Sequence, residues 1–458
     1  MISHVMMRKI FNKGRKLSAY GLFSSCPDKF SAILEDPSGG GKQFLVSRKG
    51  RSISLAHHAD KQQITLFFEQ WKATLATGRL DSLAIRCLVY AAYEAGGLIE
   101  DLPKAKSAVP GPLLWTLYPD FSLCFDDQYI HLAASNDAAM QSALTLLDVE
   151  AQQPQQAEPH PMHEQRMTSG RRYKQAVQRV KDYIAAGDVF QANIARFWSM
   201  PFAVAELLTL YGQLRQVNPA PFSAFVNIES DAGDLCLISA SPERLFRIHA
   251  DGRVDTRPIA GTRRRAEGDQ DDSLRAEMLL SEKERAEHIM LVDLERNDLG
   301  RVCRPGSVEV NERMAVEQYA TVQHIVSNVR GCLQDGKDVI DVFKAMFPGG
   351  TITGCPKVRC MEIIHELENN ARGPYTGGLG YMAWDGSADM NILIRTFWHY
   401  HDRLYWAAGA GIVADSDPEQ ERIETEHKAE GLLRALSAHT MDDQRAEPLA
   451  STSGHPPL

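Results

Sequence analysis

The sequence predicts an α+β fold in which helices and strands are mixed along the chain. Alternating apolar patterns predict strands in Q-F-L-V-S, Y-I-H-L-A, V-D-T-R-P-I and L-Y-W-A-A-G-A-G-I-V-A-D. Amphipathic patterns predict helices in Q-Q-I-T-L-F-F-E-Q-W-K-A-T-L, R-R-Y-K-Q-A-V-Q-R-V-K-D-Y-I and S-E-K-E-R-A-E-H-I-M-L-V-D-L. These elements do not follow the strict strand–helix–strand order of a doubly wound sheet, so mixed α and β is the class that the pattern supports.

Three segments set the boundaries of the predicted regions. Residues 1–20 are basic and lack the apolar core of a signal peptide, which predicts a solvated and partly disordered arm. Residues 150–165 are rich in Gln and Pro and predict an exposed linker. Residues 439–458 predict a disordered tail. An N-terminal region, 21–149, and a larger second region, 166–438, lie between these segments.

Composition excludes several classes of protein. The chain has 458 residues, and its 50 basic and 59 acidic residues give a net charge of −9, which argues against a general nucleic-acid-binding surface. The eight cysteines are scattered without a C-x-x-C pair, so no zinc site is predicted and free thiols in a reducing cytoplasm are expected. No apolar run reaches the roughly 20 residues of a membrane span. We therefore expect a cytoplasmic protein with neither nucleic acid nor membrane as a partner.

One predicted helix carries a carboxylate on an apolar face. Glu287 shares its face with apolar residues at offsets of three, four and seven, and Glu284 lies one turn earlier on the same side. A carboxylate in an apolar stripe is costly unless a cation or a hydrogen-bond donor meets it. The alternative is a surface carboxylate that pairs with the neighbouring Lys283 or Arg285.

A second acidic helix is predicted from S-D-P-E-Q-E-R-I-E-T-E-H-K, with Ser416 or Asp417 as its cap. Glu421, Glu424 and Lys428 then fall on one face at spacings of three and four. Two helices with stacked carboxylates, and no set of His and Cys nearby, fit a hard ion with oxygen ligands, for which magnesium is the natural candidate. The alternative is a solvated face with internal ion pairs.

A Gly/Thr-rich loop that runs into a helix predicts an anion site. It reads F-P-G-G-T-I-T-G-C-P-K-V-R-C-M-E-I-I-H-E-L-E, residues 347–368, with Pro356 near the first turn of the helix. Such a junction directs free backbone N–H groups and the positive end of the helix dipole toward an anion. Lys357 is placed like a P-loop lysine, but G-x-x-x-x-G-K-[ST] is absent, so a nucleotide is not the expected anion. The alternative is an ordinary helix start.

Three long motifs, in order along the chain, resemble the chorismate-utilising enzymes. They are D-L-E-R-N-D-L-G-R-V, G-T-I-T-G-C-P-K-V-R-C-M-E-I-I and G-A-G-I-V-A-D-S-D-P-E-Q-E-R-I-E-T-E-H-K, and the resemblance covers about Ser169 to Ser437. It implies the fold of anthranilate synthase component I, a two-layer β-sandwich core flanked by helices. It also implies a magnesium-dependent enzyme that acts on chorismate.

The resemblance assigns roles to the two acidic helices. It implies a magnesium ion held by Glu287 and Glu424, with Glu284 and Glu421 supporting these two ligands. The ion is implied to grip the ring carboxylate of chorismate, orienting the substrate and drawing electron density from its diene. Lys428 matches a catalytic-site lysine close to the metal-bound carboxylate.

The resemblance also implies which residues hold the rest of the substrate. Arg395 and Tyr375 match the residues that bind the enolpyruvyl carboxylate, for which a planar guanidinium is well suited. Gly409 and Gly411 match backbone donors to the same region. The ring is implied to be lined by Gly261, Thr262 and Thr351.

Two further residues concern the reaction. His324, in V-Q-H-I-V-S, matches the histidine that helps the C4 hydroxyl leave as water, although a lone histidine in an apolar stretch is otherwise typical of a core. Gln191 occupies the position at which the water-using isochorismate and salicylate synthases carry a lysine base. Because glutamine cannot deprotonate water, the resemblance favours the ammonia-using branch.

The ammonia-using branch has two arms, and Ala260 bears on the choice. N-P-A-P-F-S-A-F, residues 218–225, and A-Y-E-A-G-G-L-I-E-D-L-P, residues 92–103, resemble bacterial aminodeoxychorismate synthases, and the Leu-Leu-Glu-Ser segment of tryptophan feedback is missing. In that arm a lysine in P-I-K-G-T attacks C2 and expels the C4 hydroxyl before ammonia displaces it. P-I-A-G-T puts Ala260 there, as in anthranilate synthases, where ammonia adds at C2. Either ammonia reaches C4 by a route without the lysine adduct, or the product is the C2-amino compound, which gives anthranilate after loss of pyruvate. The sequence favours the first of these, the aminodeoxychorismate arm.

The source of ammonia is implied to lie outside this chain. No Cys–His glutaminase motif is visible, so the resemblance implies a separate glutamine amidotransferase subunit, or free ammonium at high concentration. A different class of protein is an idle relative that binds chorismate or an amidotransferase and regulates it. The joint presence of Glu287, Glu424, His324 and Arg395 argues against such a relative, which has no chemical need for all four.

Overall fold

A computed structural model describes residues 5–12, 17–37, 41–75, 78–149, 165–264, 282–318 and 322–437. Within these ranges, residues 165–166, 260–264, 282–284, 318 and 322–324 are described by their backbone alone. The predicted tail and all but the last residue of the predicted linker lie outside the described residues.

Strands of the described chain form two antiparallel sheets. The first contains β1 (Met6–Phe11), β2 (Phe30–Glu35), β3 (Gln43–Ser47), β7 (Phe121–Phe125), β8 (Tyr129–Ala134), β9 (Gln165–Arg166), β10 (Gln191–Pro201), β11 (Phe222–Ile228), β12 (Leu235–Ser241), β18 (Gly354–Cys355), β21 (Thr396–Tyr400) and β22 (Arg403–Ile412). Their order is β1-β8-β7-β3-β2-β11-β12-β21-β22-β10-β18, and β9 also pairs with β10.

The second sheet is built in the same way. It contains β4 (Gly50–Leu55), β5 (Ile85–Ala91), β6 (Leu114–Pro119), β13 (Arg244–Ile248), β14 (Arg253–Thr256), β15 (Ile259–Arg264), β16 (Glu309–Gln318), β17 (Val322–Cys332), β19 (Gly378–Ala383) and β20 (Ala388–Ile392). Their order is β15-β17-β14-β13-β20-β19-β5-β6-β4, and β16 pairs with β17.

Helices cover the outer faces of the two sheets. They are α1 (Ala19–Ser25), α2 (Lys61–Leu75), α3 (Asp137–Leu146), α4 (Gly170–Ala185), α5 (Leu207–Val217), α6 (Glu282–Gly300), α7 (Val339–Met346), α8 (Lys357–Leu367) and α9 (Pro418–Leu436). Short 3-10 turns occur at Pro27–Lys29, Tyr93–Leu98, Val204–Glu206 and Gly350–Ile352. No helix in the described ranges is both long and apolar enough to cross a membrane.

The apolar core consists of a central layer and two outer layers. Buried residues of both sheets, such as Val46 of β3, Tyr90 of β5 and Trp398 of β21, meet in the central layer. In the outer layers, α1, α3, α5 and α9 pack on the first sheet, and α2, α7 and α8 contribute to the core that contains strands of the second. Burial of apolar area at about 25 cal/mol per Å² is the dominant stabilising term of such layers. The predicted α+β sandwich flanked by helices is confirmed.

Strands from both sequence regions are interleaved in each sheet. Phe225 of β11 pairs with Ile33 of β2, and Gly380 of β19 pairs with Val89 of β5. The N-terminal region and the larger second region therefore share both sheets and the core between them.

Part of the predicted basic arm is a strand. Met6–Phe11 forms β1 and pairs with β8 over six residues, from Met6 opposite Ala134 to Phe11 opposite Tyr129. Met6 and Ile10 pack against the core of the first sheet, whereas Arg8 and Lys9 remain exposed. Pairing with β8 and the packing of Met6 and Ile10 thus outweigh the positive charge of this segment, and the prediction of a disordered arm is wrong for these six residues.

Local chemistry explains two element boundaries near the site. Asp417 caps α9, because its carboxylate accepts hydrogen bonds from the backbone N–H groups of Glu419 and Gln420. The run predicted as one strand, V-D-T-R-P-I, is divided into β14 and β15 at Arg257 and Pro258. Proline has no N–H to donate to a ladder, so the strand is interrupted there.

Candidate active site

Two neighbouring strands, β10 and β22, form the floor of the candidate site. Asn193 lies opposite Gly411 in their antiparallel register. Gln191 and Asn193 are each 8% exposed and share one face of β10, because alternate residues of a strand point the same way. A β-carbon at Gly411 would lie 2.1 Å from Gln191 Nε2, and one at Gly409 would lie 2.6 Å from Asn193 Oδ1. Glycine is therefore needed at both positions to leave room for the two amides.

Tyr375 closes this floor from the side. The Tyr375 hydroxyl would lie 2.7 Å from a β-carbon at Gly409, so the phenol also uses the space that glycine leaves. Burial raises the pKa of Tyr375, which keeps the phenol neutral and able to donate a hydrogen bond. The structure thus brings together three predicted residues, Tyr375, Gly409 and Gln191.

A buried ion pair fastens the parts of this floor. Arg372 Nη2 donates to Glu368 Oε1 at 2.7 Å and to the Asn193 carbonyl at 2.8 Å, and Arg372 Nη1 donates to the Ile352 carbonyl at 3.0 Å. Glu368 Oε1 also accepts from the backbone N–H of Ala195 at 2.9 Å. Removing one partner of such a pair leaves an uncompensated buried charge, which costs about 3–5 kcal/mol. The pair therefore holds β10 and the Gly/Thr loop in register.

Arg395 is suited to bind an anion. Its φ is +51°, a left-handed conformation that costs a non-glycine residue about 1–3 kcal/mol and is found mainly at functional sites. Burial, and to a lesser degree Arg434, lowers the pKa of Arg395. Among the residues that the structure describes, no carboxylate forms an ion pair with the Arg395 guanidinium. A desolvated guanidinium without a protein carboxylate is a good partner for the carboxylate of a ligand.

Glu243 lies in the site and was missed by the sequence predictions. It is 7% exposed, and its Oε1 accepts a 2.6 Å hydrogen bond from Oγ1 of Thr351, which was predicted to line the substrate ring. Burial raises the pKa of Glu243 to about 7, against smaller lowering effects of the Thr351 hydroxyl and the Lys428 ammonium. A carboxyl group with this pKa can exchange a proton at neutral pH.

Lys428 connects two predicted parts of the site. Its Nζ lies 2.7 Å from Glu424 Oε1 and donates to the Gly409 carbonyl at 3.0 Å. The lysine thus joins the acidic helix α9 to the glycine strand β22. Its positive charge also lowers the pKa of the buried Glu243, so Lys428 acts on both carboxyl groups.

The two acidic helices offer oxygen ligands of different exposure. Glu424 is 48% exposed, whereas Glu421 is buried and its Oε1 accepts from Ser416 Oγ at 2.6 Å. Glu287 is half-buried on α6, and the side chain of Glu284 lies outside the described part of the structure.

The carboxylate oxygens of these residues are the type of ligand that a hard divalent cation prefers. The Lys428 ammonium beside Glu424 shows that this carboxylate is placed against a positive charge. No three His, Cys, Asp or Glu side chains converge on one point within the described ranges. A magnesium ion would therefore take only part of its ligands from these side chains and the rest from substrate or water, which is its usual mode of binding.

The remaining predicted residues lie on the edge pair β15–β17 of the second sheet. Thr262 is the cross-strand partner of His324, so the backbone brings these two predicted residues to adjacent positions. The register shifts between Ala260 and Thr262, which puts an irregularity at Gly261. Such irregularities re-aim side chains and are frequent beside active sites. The side chains of Ala260, Thr262 and His324 lie outside the described part of the structure.

Lys357, at the start of α8, does not face a free anion site. Its Nζ is 2.5 Å from Asp298 Oδ2 and 3.2 Å from the Met346 carbonyl. This buried pair ties α8 to α6, and the positive charge of Lys357 is neutralised within the protein.

Sequence signals for the residues that were missed are weak. Glu243 follows a strand and a proline in S-A-S-P-E-R, where a single acidic residue reads as the end of a strand. Asn193 lies two residues after Gln191 on the same strand, and this spacing could have identified it. Glu368 and Arg372 are four residues apart, a spacing that is usually found on helix surfaces, but here α8 ends before Glu368 and the pair is buried.

The match to a known family extends over most of the chain. Residues 30–434 match the model of the family described as chorismate binding enzyme, and the chain belongs to this family. The match includes the glycines of β22, the amides of β10 and both acidic helices.

Similar proteins define the class more narrowly. An anthranilate synthase component I-like protein of Synechocystis is 43% identical over 75% of this chain and 71% of its own length. Aminodeoxychorismate synthase component 1 of Bacillus subtilis is 50% identical over 58% of this chain and 55% of its own length. Anthranilate synthase component 1 of Thermus thermophilus is 49% identical over 58% of this chain and 56% of its own length. The matches thus span about half the length of the last two relatives.

Solved structures share the fold. Anthranilate synthase component I of Streptococcus pneumoniae has a TM-score of 0.75 and 29% identity, covering 86% of this chain and 93% of that one. The menaquinone-specific isochorismate synthase MenF of Escherichia coli has a TM-score of 0.74 at 19% identity and shows the common fold alone, over 94% and 95% of the two chains. The chain is in the class of chorismate-utilising enzymes that includes anthranilate synthase and aminodeoxychorismate synthase component I.

Proposed function

We propose that this protein is component I of an aminodeoxychorismate synthase, which aminates chorismate with ammonia to give 4-amino-4-deoxychorismate for para-aminobenzoate and folate synthesis. A C–N bond forms at C4, the C4–O bond breaks, and the hydroxyl leaves as water. Chorismate and ammonia are thus converted to the amino compound and water without any change of oxidation state.

The observation that carries amination is the amide at the head of β10. Gln191 is buried in the site, and an amide has no lone pair basic enough to take a proton from water at neutral pH. Ammonia carries its own basic lone pair and needs no such base. A site with an amide at this position therefore suits an amine-forming reaction.

Substrate binding follows from the distribution of charge. Chorismate has two carboxylates, and we assign its enolpyruvyl carboxylate to Arg395 and Tyr375. The ring carboxylate is assigned to magnesium held by Glu287 and Glu424, with Lys428 beside it. When bound, the ion polarises the ring carboxylate and so favours departure of the C4 hydroxyl.

Glu243 is suited to carry the proton that the reaction needs. With a pKa raised to about 7 by burial, it holds a proton near neutral pH and can pass it to the departing hydroxyl. Attack by ammonia produces an alkylammonium group, and the Glu243 carboxylate can then accept a proton from it. His324 is a second group for the hydroxyl, as the family resemblance implies.

The segment A-Y-E-A-G-G, which favours the aminodeoxychorismate arm, contacts the loop that carries Tyr375. Glu94 accepts hydrogen bonds from the backbone N–H groups of Arg372 at 2.7 Å and Gly373 at 3.0 Å. Burial raises the pKa of Glu94 to about 7. The segment can therefore influence how the enolpyruvyl end of the substrate is held.

Anthranilate synthase is the second candidate, and Ala260 favours it. Without a lysine at this position, ammonia can add at C2 with loss of the C4 hydroxyl, and elimination of pyruvate then gives anthranilate. In either case we propose a separate glutamine amidotransferase subunit as the source of ammonia, as the component I names of the relatives suggest.

Product analysis decides between the two candidates. Purified protein is incubated with chorismate, magnesium and ammonium chloride, with and without an aminodeoxychorismate lyase. We expect para-aminobenzoate only when the lyase is present. Fluorescent anthranilate without the lyase would instead assign the protein to the anthranilate arm, and unchanged chorismate would contradict both candidates.

A further inference from the structure

The floor of the site contains two buried hydrogen-bond acceptors without donors. Gln191 Oε1 and Asn193 Oδ1 are fully buried, and neither accepts a hydrogen bond from any residue that the structure describes. Most of the other unpaired buried atoms, such as Trp71 Nε1 and Tyr90 OH, are donors or hydroxyls that sit in the core. A buried polar group without a partner costs about 1–3 kcal/mol, so a ligand is expected to supply the missing N–H or O–H groups.

The two oxygens belong to one locality. Gln191 and Asn193 are two residues apart on β10, so their side chains lie on one face about 7 Å apart at the backbone. Both amides lie over the glycines of β22, and the Tyr375 hydroxyl borders the same space. This face of β10 continues through Ala195 and Phe197 into the apolar core between the sheets, so the two acceptors lie at the edge of that core.

The backbone beneath this pair is firmly held. The N–H of Asn193 donates to the Thr353 carbonyl at 2.9 Å, and its carbonyl accepts from Arg372. The carbonyl of Gln191 accepts from Cys360 Sγ at 3.0 Å. The backbone groups are thus satisfied, and it is the side-chain oxygens that remain available to a ligand.

We propose that Gln191 Oε1 and Asn193 Oδ1 together form the ammonia subsite, in which each oxygen accepts one N–H of the nucleophile. Ammonia offers three N–H donors and keeps its lone pair for carbon. As the C–N bond forms, positive charge develops on nitrogen, and two fixed amide dipoles stabilise that charge in a buried site. This proposal rests on the proposed amination of chorismate and assigns Asn193 a catalytic role that the sequence predictions did not.

The subsite also explains why a bound water molecule does not react with chorismate. Water can donate to the same two oxygens, but neither amide can accept its proton, so the bound water is not activated. Discrimination between ammonia and water then follows from the nucleophile's own basicity and does not require exclusion of water.

The proposal is tested with Asn193→Leu, which keeps the size of the side chain and removes the oxygen. Initial rates are measured with ammonium chloride as nitrogen source, at fixed pH and saturating magnesium. Loss of one hydrogen bond predicts a rise of about 3–10-fold in the KM for ammonia, with the KM for chorismate unchanged within twofold. Asn193→Ala, which leaves a space, is expected to improve the use of methylamine relative to ammonia by at least about threefold.

Asn227→Leu is the matched control. Asn227 lies on β11, four strands away from β10 in the same sheet, or about 19 Å. Its substitution is expected to leave both KM values unchanged. Amination by wild-type protein with no change in the ammonia KM of Asn193→Leu overturns the subsite alone. An equal rise in the chorismate KM also overturns it, because the amides then bind chorismate. Absence of amination in wild-type protein overturns the subsite and the proposed function together.

Discussion

Two glutamates on which the charge of Lys428 acts are held in opposite environments. Glu424 is half-exposed and lies 2.7 Å from the lysine, whereas Glu243 is buried against the Thr351 hydroxyl. An exposed carboxylate that lies beside one cation can exchange it for another, so Glu424 is suited to a metal ion. A buried carboxyl resists ionisation, so Glu243 is suited to carry a proton. The same functional group is thus suited to two different purposes because its solvation differs.

The largest effect is expected at the exposed carboxylate. Glu424→Ala should reduce chorismate turnover by about 10³-fold or more, since a metal that stabilises the transition state contributes several kcal/mol. Turnover is measured as loss of chorismate, and magnesium binding is measured separately by calorimetry.

Glu419→Ala is the control on the same helix. Glu419 is an exposed carboxylate with its own ion pairs, at 2.9 Å to Lys174 and 2.7 Å to Arg422. Its loss should leave magnesium affinity unchanged. Magnesium-dependent turnover that persists in Glu424→Ala would show that this carboxylate is not a metal ligand.

The next effect concerns the buried carboxyl. Glu243→Gln keeps a hydrogen-bond partner for Thr351 but cannot exchange a proton, so kcat should fall about 10²-fold while the KM for chorismate stays within threefold. With free ammonia held constant, the kcat of wild-type protein should fall as pH rises through about 7, because Glu243 then loses its proton. The kcat of the variant should not show this decrease. An unchanged kcat, or the same decrease in the variant, would show that Glu243 does not take part in the proton transfer.

A smaller effect, on the free energy of unfolding, is expected at Glu295, which is another buried carboxyl group. Glu295 is buried, and its Oε2 accepts a 3.2 Å hydrogen bond from the Thr256 hydroxyl, which also donates to the Leu245 carbonyl at 2.9 Å. Burial, followed by the nearby Asp298, raises the pKa of Glu295 to about 8. Between pH 4.5 and 8 the folded state therefore binds more protons than the unfolded state, and the free energy of unfolding falls as pH rises.

Glu295→Gln should remove this dependence. From pH 5 to pH 8, the free energy of unfolding of the variant is expected to fall by less than that of wild-type protein. The difference between the two proteins should be on the order of 1–2 kcal/mol. Urea denaturation at the two pH values measures the change. An equal pH dependence in both proteins would show that Glu295 is ionised throughout this range.

Local pattern alone predicted much of the molecule. Strands such as Gln43–Ser47, the helix Lys61–Leu75 and the cap at Asp417 follow from residue spacing and capping chemistry, which act over a few neighbouring residues. Family resemblance predicted the layered sandwich, and the structure places Gln191, Tyr375, Gly409 and Lys428 around one site. The positive charge around Met6–Phe11 predicted a disordered arm, but this segment is a strand because it pairs with the distant strand β8.

By itself, the sequence determined the class of protein, because long motifs with fixed spacing identify the chorismate binding enzyme family. Only the tertiary structure revealed that Glu243 meets Thr351, 108 positions away, and that Arg372 holds the carbonyl of Asn193, 179 positions away. Such contacts depend on how strands of two sheets are ordered, and no local pattern encodes that order. Burial then raises the pKa of Glu243 and leaves the oxygens of Gln191 and Asn193 without donors among the residues that the structure describes, so these properties arise from solvation that exists only in the folded chain.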